Sequence, residues 1–209
     1  MGSGWRPILD KTIPYFGVLM TKKNLDSYPR CALPEGFTLS GYKPGFEEAW
    51  ARLMFELGQT DSSQEARDIF RKEFLSEPAL LQTRCLFLLD AKNALAATAS
   101  LWHGNHFGRE LLRIHWVACA GEYQGRGLAK ALLTALLDIA RALNYRDTLY
   151  LTSQTWSYKA LHLYARFGFE PYLGPKPANW KSQTGDFAEE TQEAWNLIQA
   201  KINARSPNP

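Results

Sequence analysis

The sequence has few cysteines and no long hydrophobic run, and both absences limit what the protein can be. No segment approaches the roughly 18 consecutive apolar residues that a membrane helix needs, and the start, MGSGWRPILDKT, lacks the apolar part of a secretory signal. Its three cysteines, Cys31, Cys85 and Cys119, form no C-x-x-C pair and leave one unmatched in any disulfide scheme. We therefore expect a cytoplasmic protein with no membrane segment and no metal site. The opening MGSG resembles an expression-tag remnant.

A strong charge of one sign is also lacking. The 24 Lys and Arg residues and 21 Asp and Glu residues give a net charge of +3, and no long basic run occurs. Nucleic acid is therefore not expected as a partner. The seven tryptophans and nine tyrosines could stack on bases, but such residues more often line cores and pockets. The length of 209 residues and the 45% hydrophobic content are typical of one globular domain.

Hydrophobic periodicity predicts a mixed α/β fold. IPYFGVLM forms either a short strand or a cover over the core, and FTLSGY is a short strand. Two amphipathic helices come next: FEEAWARLMFELG, with Phe46, Trp50, Leu53 and Leu57 on one apolar stripe, and QEARDIFRKEFL, which ends before Pro78. They precede an antiparallel meander of CLFLLD, ALAATASLWH and LLRIHWVAC. A helix from about Gly127 and the strand TLYLTS complete a parallel crossover. The helix SYKALHLYARF, the strand FEPYL and the C-terminal helix AEETQEAWNLIQAKINA follow.

A short glycine-rich turn in EYQGRGLAKALL, residues 122–133, stands directly before one of these helices. The first N–H groups of a helix lack intrahelical partners and lie at the positive end of its dipole, so they attract an anion such as phosphate. Gly125 and Gly127 remove Cβ atoms where a ligand would lie against the main chain. The turn therefore predicts a pyrophosphate site, although the glycines alone do not name the ligand.

Two common phosphate sites do not match this turn. A P-loop needs Lys-Ser or Lys-Thr after its second glycine, whereas LAK follows Gly127. A dinucleotide site needs a small residue at position 130, where Lys130 stands. It also needs an acidic residue at the end of the next strand, which ends in SQ.

The pattern that does match is Gln/Arg-x-x-Gly-x-Gly/Ala, which resembles the acyl-CoA signature of the GNAT superfamily of acetyl-CoA-dependent N-acetyltransferases. A second pattern of that superfamily, Asn-x-x-Ala-x-x-x-Tyr followed by Gly-Phe, is met around SYKALHLYARF, except that Ser157 replaces Asn. The tripeptide CAG at 119–121 also departs from the hydrophobic-x-Pro that often precedes the turn. The matching positions are Gln124, Gly127, Ala129, Ala160, Tyr164, Gly168 and Phe169.

The resemblance implies an α/β (α+β) protein with the GNAT fold, in which helices flank a mixed, mostly antiparallel sheet with splayed central strands. We expect the GNAT domain over residues 37–174, after an N-terminal extension over 1–36. A C-terminal loop and amphipathic helix over 175–209 then pack on the domain. The two terminal additions either cover a pocket or form a homodimer surface.

By resemblance, the pantetheine arm of acetyl-CoA lies between the splayed strands and binds the backbone at Val117 and Cys119. Ser157 can donate a hydrogen bond to the arm, with a shorter reach than Asn, and can cap its helix. Arg126 and Lys130 either add charge near the phosphates or are solvated helix residues. A lone Cys on a central strand is more often a packing residue than a nucleophile, so we expect no covalent step. The pyrophosphate takes N–H groups from Gln124, Gly125, Arg126, Gly127, Leu128 and Ala129.

The implied reaction needs a base, because a lysine-type amine has a pKa of about 10.4 and is mostly ammonium at pH 7. If β alternation is strict, Arg113, His115, Val117 and Cys119 share one face, so His115 points toward the acyl chain. The ordinary histidine pKa of about 6.5 suits a proton acceptor. His115 also resembles one of the strand histidines of arylalkylamine acetyltransferases, where a water relays the proton. The alternative is a buried, hydrogen-bonded histidine.

Tyr164 occupies the position of the superfamily's general acid, which protonates the departing CoA thiolate. The alternatives are that Tyr158 is the acid or that Tyr164 is only a packing residue. For the acceptor amine, several aromatic residues together with Glu56 and Asp61 suggest a box for a hydrophobic or cationic amine. The aromatic residues are Trp50, Phe55, Trp102, Phe107, Trp156 and Tyr172.

The predicted function is therefore an acetyl-CoA-dependent N-acetyltransferase that acts by direct attack in a ternary complex. A small-molecule amine is favoured as the acceptor over an exposed protein amine. Two alternatives stay open: an acyl-CoA-binding regulatory module without turnover, and a transferase of a longer acyl group.

Overall fold

Seven strands form one sheet in the computed structural model, which describes residues 9–204. The tag-like MGSG lies outside the described residues. The strands are β1 Gly17–Lys22, β2 Thr38–Ser40, β3 Cys85–Leu89, β4 Leu95–Gly104, β5 Leu111–Cys119, β6 Leu149–Gln154 and β7 Glu170–Pro171. Their order across the sheet is β2-β3-β4-β5-β6-β1-β7.

Most of the strand pairs in the sheet are antiparallel. They join β2 with β3, β3 with β4, and β1 with both β6 and β7. The pair of β5 and β6 is parallel, with Arg113 opposite Tyr150. The predicted mixed, mostly antiparallel sheet is confirmed, and IPYFGVLM contains a strand of that sheet.

The helices follow the predicted order with one addition. They are α1 Phe46–Glu56, α2 Ser63–Phe70, α3 Pro78–Arg84, α4 Leu128–Ala142, α5 Tyr158–Arg166 and α6 Phe187–Asn203. The expectation of two helices before the meander is wrong, because α3 lies between α2 and β3. Pro78 ends the preceding helix, as predicted, but it also opens α3, where its missing N–H is tolerated. A π-helical turn, Arg71–Leu75, continues α2.

Residues 30–102 and 114–145 form one compact unit. Its core contains Trp50, Phe70 and Phe74, each only 1% exposed. Their rings pack closely, with centroids 5.2 Å apart for Trp50 and Phe70 and 5.0 Å for Phe70 and Phe74. Burying each such side chain stabilises the fold by about 1.5–3 kcal/mol. The predicted apolar stripe of α1 is confirmed at Trp50 and Leu53, which are buried.

The second compact unit contains described residues 9–29, 103–113 and 146–204. Leu19, Leu111 and Tyr150 form a buried cluster in it. The ammonium group of Lys201 on α6 lies 2.9 Å from a carboxylate oxygen of Asp10, so α6 is tied to the segment before β1.

No helix within residues 9–204 is long and apolar enough to cross a membrane. The same residues contain no group of three or more His, Cys, Asp or Glu side chains that could hold a metal ion.

Candidate functional site

The glycine-rich turn leads from β5 into α4 through a 3-10 turn, Gly121–Tyr123. Gly125 and Gly127 have φ angles of 77° and 88°. These values lie in the left-handed region, which residues with a Cβ adopt at a cost. A Cβ built on Gly125 would meet no atom within 4 Å. The backbone conformation therefore explains this glycine, and the space next to it is open to a ligand.

The N-terminus of α4 has no side-chain cap. Gly127 is its N-cap residue, and the first turn of this 15-residue helix has no acidic residue. By contrast, the hydroxyl of Ser62 caps α2 by accepting from the N–H of Glu65 at 3.0 Å, and Asp186 caps α6. The first N–H groups of α4 are thus not capped by its own side chains, and the helix dipole makes them attractive to an anion.

Positive charge lies beside the turn. Arg126 is exposed, and its guanidinium carbon lies 5.4 Å from the centre of the Tyr123 ring. The hydroxyl of Tyr123 donates to Asp90 at 2.7 Å, which holds that ring in place. Lys130 is half-buried in the first turn of α4. Arg126 therefore stays next to the turn while remaining accessible to a ligand.

His115 does not lie on the face of β5 that strict alternation assigns to it. Adjacent strand residues point to opposite faces. However, Nε2 of His115 lies 2.6 Å from Oε2 of Glu73, and Nε1 of Trp116 donates to the same oxygen at 3.0 Å. Trp116 has a φ of 49°, which breaks the alternation and turns both rings to one side. The assumption that put His115 on the face of Val117 and Cys119 is therefore wrong.

Val117 and Cys119 point to the other face of β5, because Ala118 packs in the core cluster of the first unit. Both are half-buried. Burial raises the pKa of the Cys119 thiol to about 11, although the charge of Arg126 opposes the rise. The thiol is therefore neutral at pH 7, which agrees with a packing role.

Glu73 is a residue of this site that sequence reasoning missed. In QEARDIFRKEFL it has no motif around it, and helical periodicity makes it one polar residue among several. Its position depends on the π-helical turn Arg71–Leu75. No local sequence signal indicates that turn, so the contact with His115 could only be found from the structure.

Tyr164 and Ser157 lie in the second unit. Tyr164 is 6% exposed, and burial raises the pKa of its phenol above the ordinary value, so the hydroxyl keeps its proton at neutral pH. Ser157 is the N-cap residue of α5, but its side chain does not cap the helix as expected. Its Oγ instead accepts from Nε2 of Gln154 at 3.0 Å.

The aromatic residues considered for the acceptor are mostly packing residues. Trp50 and Trp102 are 1% and 3% exposed in the core of the first unit, so neither is available to a ligand. Phe107 and Tyr172 pack edge to face, with centroids 5.1 Å apart. The indole N–H of Trp156 donates to the backbone at position 13. Among the acidic candidates, Glu56 lines a groove of about 910 Å³.

Comparison with known families and structures gives consistent matches. The family model described as "Acetyltransferase (GNAT) family" matches residues 43–169. The chain is similar to a GCN5-related N-acetyltransferase from Sphaerobacter thermophilus, with 21% identity, a TM-score of 0.57, and coverage of 81% of this chain and 50% of that chain. It is also similar to a tandem GNAT protein from the clavulanic acid biosynthesis pathway, with 20% identity, a TM-score of 0.53, and coverage of 78% and 52%.

A third similar structure is an Arabidopsis thaliana protein in complex with the bisubstrate analogue CoA-Ac-MVNAL. It has 17% identity, a TM-score of 0.51, and coverage of 65% of this chain and 83% of that chain. The chain spans about half the length of the first two structures that it matches. A comparison with curated protein sequences finds no match.

Proposed function

Because the chain belongs to the GNAT acetyltransferase family, we propose that it transfers an acetyl group from acetyl-CoA to a primary amine in a ternary complex. The observation that carries the proposal is the uncapped N-terminus of α4 behind the turn of Gly125 and Gly127. A small-molecule amine is the favoured acceptor. The proposed GNAT domain, residues 37–174, contains the whole family match.

In this proposal the turn binds the pyrophosphate of acetyl-CoA through its N–H groups, and Arg126 adds positive charge beside it. The backbone of β5 at Val117 and Cys119 pairs with the amides of the pantetheine arm, as an added strand would. Ser157 accepts from Gln154 but keeps its own proton, so its hydroxyl can still donate to the arm. The turn residues assigned to the pyrophosphate are Gln124, Gly125, Arg126, Gly127, Leu128 and Ala129.

The reaction forms a bond between the amine nitrogen and the acetyl carbonyl carbon, and breaks the bond between that carbon and sulfur. One amine proton passes to His115 through a water, and the electron pair of the broken bond leaves with sulfur. Tyr164 donates its proton to the resulting thiolate and regains one from solvent; burial keeps the phenol protonated at neutral pH before the transfer. The products are the N-acetylated amine and CoA. Proximity of the amine and the thioester supplies much of the rate.

The second candidate is a regulatory module that binds acyl-CoA without turnover. Two observations favour it. Ser157 stands where the family pattern has Asn, which has the longer reach. His115 also lies on the face of β5 opposite to Val117 and Cys119, so a water must relay the amine proton to it.

Calorimetric titration with acetyl-CoA and with CoA, followed by a thiol-release screen over a panel of amines, separates the two candidates. Binding together with CoA release for some amines supports the enzyme. Binding without release from any amine in a panel that includes polyamines, arylalkylamines and peptides supports the module. The absence of binding to either ligand refutes both candidates.

A further inference from the structure

One carboxylate oxygen accepts hydrogen bonds from two consecutive residues of β5. Oε2 of Glu73 lies 2.6 Å from Nε2 of His115 and 3.0 Å from Nε1 of Trp116. An indole N–H can only donate, so the oxygen accepts from Trp116, and an ionised carboxylate accepts from His115 in the same way. This assignment puts the imidazole proton on Nε2 and leaves the lone pair of the ring on Nδ1.

The backbone conformation that makes this contact is unfavourable in isolation. Trp116 has a φ of 49°, and a bulky side chain rarely adopts the left-handed region. Such conformations persist where the surroundings hold them, and they occur often at active sites. Here the Trp116 ring packs against Trp50, with centroids 5.1 Å apart, while its N–H is bound to Glu73. The backbone carbonyl of His115 accepts from the hydroxyl of Ser100 at 2.9 Å, which holds the strand on the other side of the break.

Glu73 is itself held in a conformation that often accompanies function. It lies in the π-helical turn Arg71–Leu75, and single π turns inside helices frequently occur at functional sites. Phe74, the next residue, is 1% exposed and packs against Trp102 with centroids 4.9 Å apart. Because Phe74 is anchored in the core, the backbone of the π turn is fixed and Glu73 is directed at β5. The π-helical turn and the irregular part of β5 at Trp116 thus meet at the carboxylate of Glu73.

We propose that Glu73 is the positioning residue of His115 and that Nδ1 is the atom that takes the amine proton. The inference rests on the proposed function for its catalytic meaning. Glu73 holds the imidazole in one tautomer and orientation, and its negative charge stabilises the imidazolium that forms when Nδ1 accepts the proton. The proton then passes to solvent, and the neutral ring is restored. The side chains of His115 and Glu73 are 14% and 31% exposed, so water can reach the pair and relay the proton.

Three variants isolate this role. Glu73→Gln keeps the reach and one acceptor oxygen but removes the charge. Trp116→Phe keeps the ring beside Trp50 and removes only the indole donor. Glu193→Gln is the matched control, because it makes the same chemical change at an exposed position of α6.

The first measurement needs no ligand and no activity. Long-range ¹H–¹⁵N spectra of histidine-labelled protein report which ring nitrogen carries the proton, and His115→Asn assigns the signal. We expect the Nε2–H tautomer in the wild type and in Trp116→Phe, and a mixture of tautomers in Glu73→Gln. An Nδ1–H tautomer in the wild type would overturn the proposal even if no variant folds. An unchanged tautomer in a folded Glu73→Gln would overturn it as well.

The second measurement uses the best amine from the thiol-release screen. Glu73→Gln should lower kcat by roughly 10- to 100-fold, because the base loses its orientation and its charge partner. The KM for acetyl-CoA should stay within about twofold, since the residue does not touch the cofactor in this proposal. Glu193→Gln should match the wild type. In Glu73→Gln, a changed tautomer with an unchanged kcat would refute the positioning role. A loss of kcat/KM that comes only from a higher KM would refute it as well.

The two measurements also separate this inference from the proposed function. A wild type that binds acetyl-CoA but releases no CoA with any amine refutes the enzyme, and the positioning role with it. The spectra still confirm or refute the pairing of Glu73 with His115 in that case. Turnover by the wild type together with the wrong tautomer refutes only the inference.

Discussion

Replacing Gly125 by alanine should weaken acetyl-CoA binding far more than it weakens the fold. A φ of 77° costs a residue with a Cβ about 1–2 kcal/mol. The added methyl group would meet no protein atom within 4 Å, so the substitution brings backbone strain without a clash. For a chain of this size, each 1 kcal/mol corresponds to about 2–4 °C in Tm. We therefore expect the variant to fold and to unfold at a Tm about 2–8 °C lower.

The loss of acetyl-CoA affinity is larger than the loss of stability. The turn can respond to the added methyl group in two ways, and both weaken the proposed site. If φ stays positive, the methyl group projects into the open space assigned to the pyrophosphate. If the backbone relaxes toward negative φ, at least one N–H turns away from the phosphate oxygens. A hydrogen bond to a charged group contributes about 1.5–3 kcal/mol, and about 1.4 kcal/mol is a factor of ten in Kd. The Kd for acetyl-CoA should therefore rise by about 10- to 100-fold.

Gly108→Ala is the matched control for this substitution. Gly108 has a φ of 71°, and a Cβ there would also meet nothing within 4 Å, so both variants bear the same kind of strain. Thermal unfolding should show a similar loss of Tm in the two variants. Calorimetric titration with acetyl-CoA should show the rise in Kd for Gly125→Ala and a change within about twofold for Gly108→Ala. Equal Kd values at equal losses of Tm would refute the assignment of the turn to the pyrophosphate.

Three further predictions concern single side chains. Cys119→Ala should change the rate of CoA release by no more than about threefold, because a thiol with a pKa of about 11 is neutral at pH 7; a loss above about 100-fold would indicate covalent catalysis. Tyr164→Phe should lower kcat by about 10- to 100-fold without changing the Kd for acetyl-CoA. Because burial raises the pKa of Tyr164, its neutral form stabilises the fold below about pH 10 and this stabilisation is lost as pH rises. Urea unfolding at about pH 9 and 11 should therefore show a smaller loss of stability in the variant than in the wild type. Asp10→Asn tests the ion pair with Lys201, which lowers the pKa of Asp10 to about 2. The pair therefore stabilises the protein above about pH 4, and the stabilisation is lost as pH falls toward about 2. We expect the variant to lose about 1 kcal/mol at pH 7, measured as a Tm lower by about 2–4 °C, and to match the wild type near pH 2.

The parts of the fold that could be predicted from the sequence are those with a local cause. The turn with Gly125 and Gly127, the apolar stripe of α4 and the second motif in α5 all follow from residues close together in the chain. The GNAT fold that they predicted is confirmed by the family match over residues 43–169 and by the fold of similar solved structures. The helix α3 was missed because a proline such as Pro78 can mark either the end of one helix or the start of another. The prediction took Pro78 only as the end of the preceding helix.

The break in β5 has no local cause, and this explains why the face of His115 was predicted wrongly. LLRIHWVAC contains no Gly, Asn, Asp or Pro, the residues that usually mark an irregular strand, and the positive φ falls on a tryptophan. What holds Trp116 there is distant in sequence: the ring of Trp50 and the carboxylate of Glu73.

The two parts of the proposed site, the glycine-rich turn and the pair of His115 and Glu73, therefore differ in physical origin. An anion site at a helix N-terminus needs only a particular backbone conformation in the turn before the helix. Two glycines permit that conformation, and they are visible in the sequence. A base must be aimed by a partner that accepts its proton, and that partner comes from another element of the fold. Loss of Glu73 should thus change the reaction while leaving cofactor binding intact, whereas loss of Gly125 should do the reverse. Because the contacts of Glu73 and the turn share no residue, the two substitutions should combine additively in kcat/KM, and a double variant that departs from additivity by more than about 0.5 kcal/mol would show that the two parts are coupled.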